Sequence, residues 1–322
     1  MKAAVLYEKG GLPQYVEIPE PTVQNDDELL VQVKAVALKH FDKGRATGQH
    51  YSSTPPATGG RVIGGDGIVV LEDGTRVYGM AVDGMLAEKA VIHRNRIVPV
   101  PHNLDDLTAA ALPNAVIGAA MGLRFKADIQ PGDVALINGA TGFTGRVAIQ
   151  IAKHYGAGKV IVTGRDPQSL KSLKSLGADE YISLQDEAAF KAQLKAIHTQ
   201  TPIDVIIDYL WGRSAEWILT CLQGDGSFTN KIRYVSVGSV MGDSVQLSAA
   251  LLRSIQLQLS GSGLGAWTRP QVGLLFTEIL PDMFQLAADG KLVIETTTIP
   301  LQSIKDSWDL EIAGGQRLVV TI

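Results

Sequence analysis

The stretch that most constrains the fold is 134–155, VALINGATGFTGRVAIQIAKHY. An apolar run typical of a buried strand leads into Gly139, Gly142 and Gly145, and a helix-forming segment follows at once. Glycines let the backbone turn sharply and approach a phosphate, while the N–H groups of a helix N-terminus favour an anion. Ala140 replaces the first glycine of a GxGxxG pattern, but the strand–turn–helix context still supports the motif. We therefore predict a dinucleotide-binding turn; the alternative is a glycine-rich turn without a ligand.

The predicted cofactor contacts begin in this turn, with Ala140, Thr141, Gly142, Phe143, Thr144 and Gly145. The next apolar run, VIVTG, ends at Gly164, and Arg165 lies twenty residues beyond Gly145. An acidic residue there would bind the ribose hydroxyls of NAD, whereas an arginine can neutralise the 2′-phosphate of NADP. Asp166 could face the ribose instead, and Lys171 could supply a second cation. The pattern favours NADP(H) over NAD(H).

Apolar runs and helix-length segments alternate after Pro113, and the predicted strands cover 134–138, 160–164, 180–184, 205–210, 234–239 and 255–261. This alternation predicts an α/β fold with a doubly wound parallel sheet, a Rossmann-type domain. Ligands of such sheets lie outside the carboxyl ends of the strands. Leu210, Gly238 and Ser239 end two of these predicted strands, so we predict that they line the cofactor site.

The first third of the chain has β texture, with the runs KAAVLY, LLVQVKAVAL, RVIGGDGIVVL, TRVYGM and AEKAVIH. Short, closely spaced strands with turn signals between them indicate a compact, barrel-like β domain. The β texture returns in 292–301 and 316–322. We therefore expect one β-rich domain from 1–113 and 267–322, with an α/β domain inserted at 114–266.

Composition supports two folded domains, since 322 residues is about twice the usual size of one domain. The net charge of −4 and the scattered basic residues argue against nucleic-acid and membrane-surface partners. The N-terminal residues lack the apolar core of a signal peptide. The most apolar stretch, 107–123, is interrupted by Pro113 and Asn114, so we expect a buried helix start and not a membrane span. The single cysteine, Cys221, excludes an intrachain disulfide and fits the cytoplasm.

Taken together, the chain resembles the medium-chain dehydrogenase/reductase superfamily, in its zinc-independent quinone oxidoreductase-like branch. The segments that carry the resemblance are MKAAVLY, VQVKAVALKHFD, RVIGGDGIVV, DGTRVYG, AAALPNAVIGAA, QPGDVALINGATGFTG, LKSLGADEYI and GGQRLVVTI. The resemblance implies a GroES-like catalytic domain built from both termini, a Rossmann domain between them and an active-site cleft at their junction. It also implies a homodimer, formed through the last Rossmann strand near 255–261. It places Asn114, at the start of the Ala-rich helix that enters the Rossmann domain, near the nicotinamide.

Zinc enzymes of this superfamily hold their catalytic metal with a cysteine in the segment matching ALKHFD and a histidine in the turn matching GGDG. The corresponding residues here are Lys39 and Gly65, while Asp66 keeps the acidic position. A protonated lysine is a poor zinc ligand and glycine has no side-chain donor. We therefore predict no metal. The alternative is a rebuilt metal site, for which the candidate ligands are His40, Asp42 and His50.

Without a metal ion to act as a Lewis acid, the more favourable reaction is reduction of an acceptor that delocalises negative charge by itself, such as a quinone or an α,β-unsaturated carbonyl. The protein must then orient the partners and stabilise an enolate. The candidate catalytic residues are Lys39, as a hydrogen-bond donor to the enolate, and Tyr51, at about the position where quinone oxidoreductase relatives carry a tyrosine. The alternatives are a solvated lysine and a tyrosine packed on the surface. His40 is a weaker candidate for the pyrophosphate, and Asp42 is expected to brace the turn.

The sequence thus predicts a cytoplasmic NADPH-dependent oxidoreductase with a small electrophilic substrate. Three alternatives stay open. One is an enoyl-thioester or acrylate-type reductase of the same fold. Another is a protein that binds NADPH without catalysis, such as a redox sensor or a crystallin-like protein. The third is a zinc alcohol dehydrogenase.

Overall fold

A computed structural model describes residues 1–50, 52–53, 59–224, 226 and 230–322. The chain folds into two compact units, one of 1–114 with 276–322 and one of 115–275. We call the first the β-rich unit and the second the α/β unit. The boundaries expected from sequence lie at 113/114 and 266/267, so the second observed boundary comes later in the chain.

The strands in the described residues are, in chain order, β1 (Lys2–Leu6), β2 (Gln14–Glu17), β3 (Glu28–Leu38), β4 (Arg61–Val62), β5 (Asp66–Val70), β6 (Arg76–Ala81), β7 (Lys89–Pro99), β8 (Val134–Asn138), β9 (Lys159–Gly164), β10 (Glu180–Ser183), β11 (Val205–Asp208), β12 (Lys231–Ser236), β13 (Gln256–Gly261), β14 (Glu295–Pro300) and β15 (Gln316–Thr321).

The α-helices are α1 (His40–Thr47), α2 (Asp106–Val116), α3 (Phe143–His154), α4 (Pro167–Ser172), α5 (Glu187–Gln200), α6 (Gly212–Leu222), α7 (Ala249–Ser254), α8 (Arg269–Leu274) and α9 (Leu280–Ala288). Wider π-helical turns follow α2 over Ile117–Lys126 and α8 over Leu275–Ile279. Short 3-10 turns cover Leu173–Leu176, Leu264–Ala266 and Leu301–Ser303.

The sheet of the α/β unit has six parallel strands in the order β10-β9-β8-β11-β12-β13. All five residues of β8 are buried, as expected for a central strand of a parallel sheet covered on both faces. The strand order reverses between β8 and β11, which places the topological switch point at the carboxyl ends of these two strands. The predicted doubly wound sheet is confirmed.

The main sheet of the β-rich unit has the order β14-β15-β3-β5-β6-β7, and an additional β3–β7 pairing closes four of its strands into a ring. The long strand β3 makes this possible because its successive parts pair with β7, β5 and β15. Leu38 pairs with Leu318, so the last strand of the chain belongs to the same sheet as the first third. The predicted β-rich unit is therefore observed. The run 61–71, however, forms two strands, separated at Gly64, whose φ of 87° favours glycine.

The apolar helix begins earlier than expected. We expected it to start near Asn114, but α2 begins at Asp106 and both Pro113 and Asn114 lie inside it. Pro113 removes one N–H from the helical ladder, and the helix continues as π-helical turns beyond Val116. Among the described residues, the helix over 106–126 is the only one long and apolar enough to cross a membrane. However, 72% of its most apolar 18-residue stretch is buried inside the protein. The burial supports the predicted core helix.

Candidate functional site

The glycine-rich turn leaves β8 and enters α3 with tight packing at both ends. Gly139 has φ 86°, a left-handed conformation that favours glycine. Its N–H donates to Thr163 Oγ1 at 3.0 Å, and the N–H of Ala140 donates to the Thr163 carbonyl at 2.8 Å. A Cβ on Gly145 would lie 2.6 Å from the Cα of Ala140, so only glycine lets α3 pack directly against the turn. The turn is thus anchored to β9 and to its own helix.

Gly142 is a glycine for a different reason. It precedes the first residue of α3, and its φ of −75° and ψ of 164° suit any residue. A Cβ there would meet no atom closer than the Gly139 carbonyl oxygen at 3.9 Å. Neither the backbone nor the packing of the protein requires glycine, and the open space lies at the N-terminus of a twelve-residue helix. This is the space that a closely approaching phosphate needs.

The other predicted residues of the turn line the same region. A Cβ on Gly164, the last residue of β9, would lie 2.5 Å from Thr141 Cγ2, so the strand end packs under the turn. Phe143 is buried and Thr144 is half-buried at the start of α3. The sequence-predicted residues 140–145 and Gly164 are therefore brought together.

Arg165 and Asp166 have different environments. The carboxylate of Asp166 accepts a hydrogen bond from the Ser169 N–H at 2.6 Å and caps α4, and this bond lowers the pKa of Asp166. Arg165 is exposed and lacks a partner among the described residues. Lys171 is exposed on α4. Because the Asp166 carboxylate caps α4, Arg165 is the better candidate of the two to face the ribose end of the cofactor.

The residues predicted beyond β11 and β12 also lie at strand ends. Leu210 packs over the glycine turn, since a Cβ on Gly139 would lie 2.7 Å from Leu210 Cγ. A Cβ on Gly238 would lie 2.6 Å from the carbonyl oxygen of Tyr209, so Gly238 permits a close backbone approach. Ser239 is exposed. Asn114 is half-buried in α2, in the β-rich unit.

A buried polar network, which was not predicted from the sequence, lies beneath the turn. It joins strand ends through side-chain hydrogen bonds among Asn138, Thr163, Asp208, Ser214 and Tyr234. Asn138 and Asp208 are polar residues that end apolar parallel strands, and polar side chains in that position meet at one edge of a sheet. That signal could have identified both of them.

In the β-rich unit, Lys39 is buried among charges. It directly precedes α1 and is only 3% exposed. Its ammonium contacts the carboxylate of Asp66 and lies 3.4 Å from Asp42 Oδ2. Asp42 Oδ2 also accepts a hydrogen bond from the Lys39 backbone N–H at 3.0 Å, so Asp42 braces the turn as expected. The alternative of a solvated lysine is therefore wrong.

Two further residues complete this charged cluster. Tyr78 donates a hydrogen bond from its hydroxyl to Asp66 Oδ2 at 3.0 Å, and Arg317 is buried near Asp42 and Asp66. Sequence analysis did not single out either one, because Tyr78 and Arg317 lie in ordinary strand patterns of β6 and β15. We call Lys39, Asp42, Asp66, Tyr78 and Arg317 the charged cluster.

Burial and mutual charge shift the pKa values of the charged cluster. Burial alone would lower the pKa of Lys39, but Asp42 and Asp66 outweigh it and raise that pKa above the usual lysine value. Burial raises the pKa of Asp42. Burial, and then the negative charge of Asp66, raise the pKa of Tyr78. Burial lowers the pKa of Arg317 to about 10. Lys39 is therefore held as a cation at neutral pH.

The donor set does not fit zinc. Lys39 is an ammonium bound to carboxylates, and Gly65 supplies no side chain. The alternative metal ligands are engaged elsewhere: Asp42 pairs with Lys39, and His50 Nδ1 lies 2.8 Å from Ser52 Oγ. Across the described parts of the chain, no three His, Cys, Asp or Glu side chains are grouped so that they could hold a metal ion.

Tyr51, the second candidate catalytic residue, lies outside the described residues. His40 is exposed at the start of α1, where partial desolvation and then the charge of Arg317 lower its pKa. A neutral imidazole has no charge with which to attract a pyrophosphate, which weakens the suggestion made for His40.

Comparisons with known proteins agree with this architecture. Residues 144–276 match the family described as zinc-binding dehydrogenase. A probable NADPH-dependent quinone reductase from Emericella nidulans is 25% identical, over 96% of each chain. The quinone oxidoreductase from Thermus thermophilus, solved alone and with NADPH, is 25% identical over the whole of both chains, with a TM-score of 0.79.

Other relatives are matched over parts of their length. The 2-methylene-furan-3-one reductase of Solanum lycopersicum is 36% identical over 50% of this chain and 46% of that protein. The chain also matches mycobacterial polyketide synthases, of whose length it spans 11% to 14%. The order of the sequence segments, the division into two units and the full-length similarities all indicate the same kind of protein. The chain is therefore similar, over its whole length, to quinone oxidoreductases of the medium-chain dehydrogenase/reductase superfamily.

Proposed function

We propose that this protein is an NADP(H)-dependent oxidoreductase that transfers hydride to a quinone or to an α,β-unsaturated carbonyl compound. The observation that carries the proposal is the open space at Gly142, at the N-terminus of α3. No feature of the protein alone requires that space, whereas a bound pyrophosphate does. Two related quinone reductases are named for NADPH or solved with it, which supports the same cofactor here.

The cofactor's phosphates would be held by the chain in two places. The first-turn N–H groups of α3 have no intrahelical partners and face the open space at Gly142. The exposed guanidinium of Arg165 follows the second strand, at the position that distinguishes NADP from NAD. Lys171, one turn into α4, is the second cation that we propose for the 2′-phosphate.

When bound, NADPH supplies a hydride from C4 of its nicotinamide. The charged cluster offers no open metal coordination position, so the acceptor itself must delocalise the negative charge that the hydride brings. Quinones and enones do this. We propose that Lys39 stabilises the developing oxyanion with an N–H that its two carboxylate partners leave available, and that Tyr51 donates a proton or relays it.

A second candidate function is reduction of an enoyl thioester or an acrylate-type acid. The match to polyketide synthases favours it. The furanone reductase supports the first candidate instead, because its named substrate is a ketone conjugated with an exocyclic double bond, an enone. A thioester carrier would also need cations for its phosphates. The third candidate, an NADPH-binding protein without turnover, would have the same turn and the same Arg165.

We further propose a cytoplasmic homodimer. The last strand of the α/β sheet, β13, is an edge strand, and Leu259 on it is 38% exposed. Exposed edge strands pair readily with a second copy. Light scattering on the purified protein would give the mass of a dimer, and a monomer mass would contradict this proposal.

The decisive experiment measures NADPH and NADH oxidation against quinones, enones, acrylates, enoyl thioesters and aldehydes, with NADPH binding measured on the same sample. Turnover with quinones or enones is expected. Turnover confined to enoyl thioesters or acrylates would establish the second candidate. NADPH binding without turnover on any acceptor would favour the non-catalytic one.

A further inference from the structure

The carboxylate of Asp208, at the end of β11, is fully buried and accepts four hydrogen bonds. Its Oδ1 accepts from Asn138 Nδ2 at 2.7 Å and from the backbone N–H groups of Leu210 at 2.8 Å and Trp211 at 3.0 Å. Its Oδ2 accepts from the Tyr234 hydroxyl at 2.7 Å. Four donors match the capacity of an ionised carboxylate. A buried charge is costly unless it is bonded in this way.

The loop that Asp208 holds is strained. Trp211 has φ 56° and ψ −155°, a conformation that side-chain-bearing residues rarely adopt. Such a conformation persists only where the surroundings impose it. Here the Trp211 N–H is bonded to Asp208, and the Leu210 carbonyl accepts from the Met241 N–H at 2.8 Å. The strained backbone places Leu210 over Gly139.

A second branch of the network runs from Asp208 to the glycine turn itself. Asn138 donates to Asp208 through Nδ2 and accepts from the Thr163 hydroxyl at 2.6 Å through Oδ1. Thr163 Oγ1 in turn accepts from the Gly139 N–H at 3.0 Å. One buried carboxylate therefore connects, within the α/β unit, to both segments at the switch point: the loop after β11 and the turn after β8.

We propose that Asp208 is a positioning residue of the NADP(H) site, which fixes the strained Leu210–Trp211 loop and, through Asn138 and Thr163, the Gly139 turn. The inference rests on the proposed function, because it assigns Asp208 to the cofactor site. Asp208 is 0% exposed, so it acts on the cofactor only through the backbone that it holds. Its removal should weaken cofactor binding beyond any general loss of stability.

The test compares NADPH dissociation constants of purified variants, measured by calorimetry well below their melting temperatures. Asp208→Ala removes all four acceptor positions, and we expect NADPH to bind at least about tenfold more weakly. Asp208→Asn keeps Oδ1 for its three donors and turns an NH₂ toward Tyr234, whose hydroxyl can accept. We expect it to stay within about threefold of the wild type.

A control separates positioning from stability. Leu194 is fully buried on α5, and Leu194→Ala should lower the melting temperature while leaving the NADPH dissociation constant within about twofold. Equal weakening by Leu194→Ala and Asp208→Ala would overturn the inference, as would wild-type affinity in Asp208→Ala.

Thr163→Val gives a second route, because valine keeps the shape and strand preference of threonine and removes only the hydroxyl. It should weaken NADPH by about threefold or more. If Asp208→Ala does not fold, unchanged affinity in Thr163→Val overturns the inference. A wild-type protein that does not bind NADPH would instead contradict the proposed function.

Discussion

The ammonium of Lys39 contacts the carboxylate of Asp66 inside the β-rich unit, with 3% and 14% of the two side chains exposed. The resemblance to the medium-chain dehydrogenase/reductase superfamily implies that zinc-dependent members have a metal ligand in the segment around Lys39. In this protein the Lys39 ammonium, and not a metal ion, contacts the Asp66 carboxylate. Buried pairs of this kind depend on both partners, because removal of one leaves an uncompensated charge.

Lys39→Met should therefore destabilise the protein, by about 3–5 kcal/mol, because methionine keeps the length of the side chain and removes the ammonium that Asp42 and Asp66 contact. Urea unfolding monitored by circular dichroism measures this change. In Lys39→Met/Asp66→Asn the second substitution removes one orphaned charge, so part of the loss should be recovered.

The matched control is Lys2→Met, which breaks the exposed pair of Lys2 with Glu17 at 2.9 Å in the same unit. Solvent screens that pair, so little change in the unfolding midpoint is expected. A midpoint for Lys39→Met equal to that of Lys2→Met would show that the buried contact contributes nothing to stability.

The glycines of the turn should separate ligand binding from folding. Gly142→Ala meets no close atom in the protein, so its stability should stay within about 0.5 kcal/mol while NADPH affinity falls, since the methyl group enters the phosphate space. Gly145→Ala places a Cβ 2.6 Å from Ala140 Cα and should cost about 1–3 kcal/mol of stability. Thermal unfolding and NADPH titration on the same samples check both. Unchanged NADPH affinity in Gly142→Ala would contradict the proposed binding site.

Arg165→Ala should weaken NADPH by about tenfold or more and NADH much less, because only NADPH carries the 2′-phosphate that the guanidinium neutralises. The ratio of the two dissociation constants is the measurement. Lys195→Ala, which removes an exposed cation on α5, is the control and should leave the ratio unchanged. Equal losses for both cofactors in Arg165→Ala would rule out the assignment.

Tyr51→Phe should lower the rate of substrate reduction by about a hundredfold if the hydroxyl transfers the proton, with NADPH affinity nearly intact. Pre-steady-state oxidation of NADPH separates chemistry from binding. Tyr7→Phe, at a tyrosine that is 51% exposed in the same chain, provides the control. Wild-type rates in Tyr51→Phe would leave Lys39 as the remaining candidate.

Chelators should leave activity unchanged, because the charged cluster offers no zinc ligand set. Metal content by mass spectrometry should be well below one zinc per chain. Stoichiometric zinc, together with activity lost to a chelator and restored by zinc, would revive the alcohol dehydrogenase alternative.

The α/β sheet was predictable because its strands are apolar, evenly spaced and separated by helical periodicity. The turn after β8 was predictable because its glycine pattern has a physical cause that acts locally. The start of the apolar helix was predicted too late in the chain, near Asn114 instead of Asp106. Pro113 indicated a boundary, but a proline inside a buried helix is tolerated where wider turns follow, and tertiary packing decided that outcome.

Side-chain partners were the hardest to predict. Lys39 and Asp66 are 27 residues apart, and Lys39 alone has the features of a solvated residue. Asn138 and Asp208 are 70 residues apart, and although each ends an apolar strand, the sequence does not show that the two side chains bond to each other. Only the folded sheet brings these pairs together, so single-sequence patterns indicated their elements but not their contacts.

The pairing of β15 with β3 has a consequence for biosynthesis. Leu318 and Leu38 are neighbours in the sheet although 280 positions separate them in the chain. On the ribosome, β3 emerges long before its partner, while every strand of the α/β sheet is complete once residue 261 has been made. Domains fold as they emerge, so the inserted unit should fold first and the β-rich unit last. Until then β3 presents an unpaired edge, which makes the nascent β-rich unit the part of this protein that most needs protection from aggregation.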